Sequence, residues 1–125
     1  MSKILVVDDE VELVQLCRLV LEDAGYNVRG AYNGEQALKM VNEEAPHLIL
    51  LDVMMPGMSG IEVCQQIRST PGYPNQCPII MYTADDSSET RLKSMKAGAN
   101  ELVSKQTPIF DLASKISSYL RNGSN

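Results

Sequence analysis

Asp8, Asp9, Asp52, Thr83 and Lys105 are residue types that together handle a hard cation and a phosphoryl group. They sit far apart in the chain, yet each falls at or just past the end of a short apolar run: KILVV, LILL, PIIMY and ELVS. Brought to one place, three carboxylates repel and raise one another's pKa unless something cationic joins them. Only carboxylate, carbonyl and water oxygens are on offer, with no His or Cys in these stretches, so the implied ion is magnesium rather than zinc. An anionic group arriving there would meet the metal, the Lys105 ammonium and the Thr83 hydroxyl, the donors that stabilise equatorial oxygens during phosphoryl transfer. Asp52 is then the nucleophile, and its attack on phosphorus gives a transient acyl phosphate. Taken alone, Asp52 reads equally well as a helix cap after a strand. The whole set also has a plainer reading, a charge cluster in which Lys105 neutralises the acids. Delivery of complementary groups by four separate runs favours the phosphoryl site.

Strands are what must position these groups. Residues 48–51 (LILL) show no polar alternation before Asp52, the mark of a strand covered on both faces in a parallel sheet. Residues 3–7 form a similar run, and Leu13, Val14, Cys17, Val20 and Leu21 then recur at helical spacing up to Gly25. Residues 26–31 make a more polar strand, expected near an edge. A helix opens at Asn33 with Ala37, Leu38 and Val41 facing inward, and Pro46 blocks its continuation. Beyond the loop at 53–58, Ser59 and Glu62 fit a capping box for a helix that presents Ile61, Cys64 and Ile67. Residues 69–78 carry three prolines and a glycine and read as a loop on the far side of the sheet from Asp52.

Residues 78–82 are a fourth buried strand leading to Thr83, and Asp86 with Glu89 can cap the next helix. That helix is poorly apolar, with Leu92, Met95 and Ala99 as its expected inward face before Gly98 ends it. Residues 101–104 form a fifth strand reaching Lys105, and a last helix from Thr107 and Pro108 carries Ile109, Leu112, Ile116 and Leu120. Five strand-then-helix units predict a parallel sheet with helices on both faces. Right-handed crossovers then put every strand-to-helix turn on one edge, where ligands bind in such sheets.

A chain of 125 residues suffices for one core. The formal charge of -5 argues against non-specific binding to nucleic acid or to anionic membrane. Cys17, Cys64 and Cys77 are odd in number and lack CxxC spacing, so they read as reduced, partly buried thiols. No run is long enough for a signal segment or a membrane span, and a cytoplasmic protein is expected. His47, the only histidine, reads as a surface residue at a strand start. Asp85 and Asp86 read as helix-start charges, with the sharper alternative that Asp85 hinders or orients a hydrolytic water.

VVDDE at 6–10, LLDVMMPGMSG at 50–60, YTA at 82–84, AGA at 97–99 and Lys105 resemble the receiver domains of two-component response regulators. The resemblance spans nearly the whole chain. It implies a flavodoxin-like doubly wound α/β fold, (βα)5, with strand order 2-1-3-4-5. It also implies Asp52 as phosphoacceptor, and Mg2+ held by Asp9, Asp52 and the main-chain carbonyl of Met54, with Asp8 acting through water. Thr83 and Lys105 would sense the phosphoryl group, donated by a phosphohistidine of a histidine kinase or phosphotransfer protein. A receiver domain over residues 1–121, a disordered tail at 122–125 and no output domain are expected, so the effect would pass to a separate, unknown partner protein. Two positions depart from the family: Leu102 stands where an aromatic switch residue is usual, and Gln106 where proline usually follows the lysine. These keep open an adaptor that acts without phosphorylation. A phosphohydrolase of the aspartyl-phosphate type is disfavoured because Met54 occupies its usual second Asp position. A nucleotide or flavin binder fails for want of a glycine-rich phosphate loop.

Overall fold

In a computed structural model that describes residues 1–72 and 76–123, five parallel strands alternate with five helices. The strands are β1 (Lys3–Val7), β2 (Asn27–Ala31), β3 (Leu48–Leu51), β4 (Ile79–Thr83) and β5 (Glu101–Ser104). The helices are α1 (Val11–Asp23), α2 (Gly34–Glu43), α3 (Gly60–Ser69), α4 (Ser88–Lys96) and α5 (Ile109–Gly123). The sheet order is β2-β1-β3-β4-β5, every pair parallel, as expected of a flavodoxin-like fold. The polar β2 lies at an edge, and the continuously apolar β1, β3 and β4 fill the middle.

The lack of alternation in those strands has a direct cause: two cores, one on each face, use alternate residues of the same strands. Leu5, Val7, Ile49, Leu51, Ile79 and Met81 point to the side covered by α2, α3 and α4. Ile4, Val6, Leu48, Leu50, Ile80 and Tyr82 point to the side covered by α1 and α5. The helical stripes follow the expected spacing. Val14, Cys17 and Leu21 are buried from α1, Ala37 and Val41 from α2, and Leu112, Ile116 and Leu120 from α5. In α3 the buried set is Val63, Cys64 and Ile67, with Ile61 only packed against its border. Ser59 and Glu62 form the reciprocal capping box.

α4 departs from expectation. Its cap is Ser87, whose hydroxyl accepts from the Thr90 amide, rather than Asp86 with Glu89. Its buried face carries Thr90 and Ser94, while Leu92 and Met95 are 56% and 46% exposed. On a helix these two pairs lie on nearly opposite sides, so the apolar stripe points to solvent. Apolar spacing alone could not reveal this, because Ala97 and Ala99 supply the inward apolar contacts from beyond the helix end. The three cysteines are free and buried, and burial pushes their thiols up to about 11, 11 and 12. α5 continues to Gly123, so the first half of the expected tail is helical in its backbone, and residues 124–125 lie outside the described residues, as do 73–75 of the expected proline-rich loop.

Candidate functional site

Register brings the site together. Val7 pairs with Leu51, and Leu51 with Met81, so Asp8 and Asp52 emerge side by side at the carboxyl edge, with Thr83 ending the next strand and Ser104 beside it. Backbone bonds extend the ladder past the strand ends: the Asp8 amide donates to Ala31 O, that of Asp52 to Val7 O and that of Lys105 to Thr83 O, at 3.0, 2.9 and 2.9 Å. Each functional residue is thereby fixed by its neighbouring strand.

Lys105 is the centre of the arrangement. Its ammonium lies 2.9 Å from Asp8 Oδ2, 3.2 Å from Asp52 Oδ2 and 2.7 Å from Glu10 Oε1. Asp8 and Asp52 are both 3% exposed. Their second oxygens are also engaged, Asp8 Oδ1 accepting from the Glu10 amide at 2.9 Å and Asp52 Oδ1 from the Met54 amide at 3.2 Å. Burial pushes the Asp8 carboxyl above its ordinary value and the nearby charge of Asp52 adds to this, while the Glu10 amide and Lys105 pull it back. Burial also works against the charge of Lys105. The hydrogen bonds to Glu10 and Asp8 and the charge of Asp52 overcome that and hold the ammonium well above its usual range. A cation fixed in this way is what lets two buried acids share a pocket.

Thr83 is fully buried, and its hydroxyl oxygen accepts from the Asp85 amide at 3.3 Å. The Asp85 carboxylate turns to α4, accepting from the Ser87 amide and the Thr90 hydroxyl. Those bonds hold its carboxyl below the usual range. Of the expected residues, Asp8, Asp52 and Lys105 are thus in direct contact. Asp9 is exposed on the β1–α1 turn, and Met54 is an exposed residue of the loop after β3. Glu10 is the residue that sequence reasoning left out: it stood within the VVDDE motif, but nothing in its spacing distinguished it from a helix-start charge. Oxygens of Asp8, Glu10 and Asp52 all lie within 4.8 Å of one another, a donor set of carboxylates alone that suits a hard dication.

His47 is exposed, its Nδ1 accepting from the Lys3 amide at 2.8 Å at the opposite edge. Among the described residues no helix is long and apolar enough to cross a membrane.

An acid ending the middle strand of a parallel sheet, caged by a lysine from the last strand, defines a signalling domain of the receiver class. Residues 4–117 match the family model for the response regulator receiver domain, and the chain belongs to that family. Among solved structures it is similar to the Vibrio cholerae chemotaxis response regulator CheY4, with 32% identity and a TM-score of 0.89 over 96% of this chain and 99% of that one. It is also similar to a two-component response regulator from Clostridium difficile, with 25% identity and a TM-score of 0.92 over 100% of both chains. The receiver domain of the Francisella response regulator 1452 matches with 26% identity and a TM-score of 0.87, covering 98% of this chain and 99% of that one. The chain is accordingly a receiver-sized unit of two-component signalling, a phosphorylation-dependent switch rather than an enzyme in the ordinary sense.

Proposed function

We propose that Asp52 accepts a phosphoryl group from a phosphohistidine of a histidine kinase or phosphotransfer protein in the cytoplasm, and that the modified domain changes its binding to a separate protein. The contact of Lys105 with Asp52 at 3.2 Å, between residues 53 apart in sequence, carries this reading. In the transfer, an Asp52 carboxylate oxygen forms a bond to phosphorus as the phosphorus–nitrogen bond breaks, and the imidazole nitrogen keeps that electron pair. Lys105 is placed to receive charge developing on the phosphoryl oxygens. Thr83 offers a hydroxyl at the end of the adjacent strand.

A carboxylate donor set fits Mg2+: the acids whose oxygens the fold gathers within 4.8 Å are Asp8, Glu10 and Asp52, while the family resemblance would have the ion held by Asp9, Asp52 and the Met54 carbonyl, with Asp8 through water. When bound, it neutralises oxygen charge on the group being transferred and on the group being hydrolysed. Asp8, Glu10 and Asp52 outnumber the single Lys105 ammonium they share, which leaves the pocket negative toward such a cation. Turning Thr83 toward a modified Asp52 would withdraw the acceptor of the Asp85 amide, so the loop into α4 is the route by which the change leaves the site. Leu102, 4% exposed and packed in the core, stands where the resemblance would place an aromatic switch residue, and its carbonyl accepts from Arg91 of α4.

The test is labelling by acetyl phosphate with Mg2+. Wild type is expected to gain one acid-stable, base-labile phosphoryl group, and Asp52→Asn to gain none. Equal labelling of the variant would refute the assignment.

A further inference from the structure

The three acids around Lys105 are not equivalent. The side chains of Asp8 and Asp52 are each 4% exposed, whereas that of Glu10 is 63% exposed, yet Glu10 makes the shortest contact of the three at 2.7 Å. Glu10 also occupies the N-cap position of α1, with φ -83° and ψ 100°, and its side chain makes no capping hydrogen bond. That position favours Ser, Thr, Asp or Asn, whose short side chains reach the first-turn amides. A glutamate placed there leaves those amides without a side-chain partner and reaches instead to the end of β5.

An ammonium has three N–H donors, and here three carboxylates face them. While Asp52 still holds its own contact, Lys105 can therefore serve an oxygen of the incoming phosphoryl group only by giving up Asp8 or Glu10. Releasing Asp8 would leave a buried charge without its cation, whereas released Glu10 simply returns to water. Its backbone stays in place, because the Glu10 amide is held by Asp8 Oδ1 at 2.9 Å. Only the carboxylate has to swing away. The same negative charge stands beside the path of an incoming anion.

Resting on the reading of Asp52 as phosphoacceptor, we propose that Glu10 is a positioning residue that competes with the phosphoryl group for Lys105. It restrains the ammonium before transfer and so sets how fast Asp52 is modified.

The experiment compares wild type, Glu10→Gln, Glu10→Ala and, as a control for charge alone, Glu12→Gln. Glu12 is exposed in the first turn of α1 and makes none of the contacts to Lys105. Labelling by acetyl phosphate is followed against donor concentration at saturating Mg2+, and beryllofluoride affinity is measured alongside. Both Glu10 variants should be labelled about two- to fivefold faster and bind beryllofluoride more tightly by a similar factor, the range that a solvent-facing ion pair is worth. Glu12→Gln should match wild type. In the unmodified protein without Mg2+, the Lys105 ammonium NMR signal should be visible in wild type and broadened by solvent exchange in both Glu10 variants. Unchanged or slower labelling in the two variants would overturn the proposal, and slower labelling would place Glu10 among the groups that assist transfer. A wild-type protein that takes no label would overturn the phosphoacceptor reading along with it. A labelled wild type with indifferent variants overturns this proposal alone.

Discussion

Replacing Gly60 by alanine tests how tightly the end of β3, from which Asp52 emerges, is wedged against α3. A Cβ at this position would lie 2.0 Å from the Asp52 carbonyl oxygen, 2.8 Å from its carbon and 2.9 Å from Val53 Cα, all backbone atoms. No side-chain rotation can relieve such contacts, so α3 and the end of β3 must part by about 1 Å. The Gly60 amide, bonded to Val53 O at 2.9 Å, ties the same two segments together and resists that motion. Overpacking of this kind costs about 1–3 kcal/mol, and the better helix propensity of alanine returns up to about 1 kcal/mol. With so short a backbone clash at the upper end of that range, a net loss of about 2 kcal/mol is expected, lowering the melting temperature by about 6–10 °C in a domain of this size. Urea unfolding should show the midpoint falling at constant slope, and acetyl phosphate labelling of Asp52 should slow because the carboxylate moves relative to Lys105. Gly25→Ala serves as the contrast. Gly25 has φ +99° and nothing within 4 Å of the added carbon, so the substitution costs about 1–2 kcal/mol of backbone strain while labelling stays intact. A Gly60→Ala protein within about 0.5 kcal/mol of wild type, labelled at the normal rate, would mean that β3 and α3 are not wedged together at this glycine.

Two further outcomes follow from α4. Ser94 Oγ is buried without a hydrogen-bond partner, so Ser94→Ala should leave stability unchanged or raise it by up to about 1 kcal/mol in urea unfolding; a clear loss would mean the hydroxyl is satisfied after all. Asp85 has its carboxyl held below the usual value by the Thr90 and Ser87 bonds, so its stabilising contribution is complete above its ordinary value of 3.8 and is lost as pH falls through the lowered one. Asp85→Ala should therefore be less stable than wild type at pH 6, with the gap narrowing below about pH 4; a gap that does not change with pH would contradict this.

Much of the architecture was legible because burial on both faces writes itself into β1, β3 and β4 as unbroken apolar runs, and because Ser59 with Glu62 marks a helix start without ambiguity. The meeting of Asp8, Asp52 and Lys105 was legible for a related reason: a parallel sheet sends every strand end to one edge, so strand-ending residues can be grouped before any distance is known. Glu10 was not, since its role depends on a side chain crossing from one turn to another, which spacing does not encode. The orientation of α4 failed for a different reason. Its Leu92 and Met95 look like a core stripe, but the choice of inward face was decided by Ala97, Ala99 and the Asp85–Thr90 bond, all lying at the helix ends.

That reversed helix has an energetic consequence. A segment seated through hydroxyls and one carboxylate, with its greasiest residues already wet, sacrifices little buried hydrocarbon when it tilts or slides. The difference in free energy between its alternative seats can then be small, within the reach of a ligand or modification that favours one of them by a few kcal/mol. The core on the α1 and α5 side would survive the excursion untouched and the other would lose chiefly the contacts of Ala97 and Ala99, which lets the surface be redrawn on a microsecond-to-millisecond timescale without any unfolding of the sheet beneath.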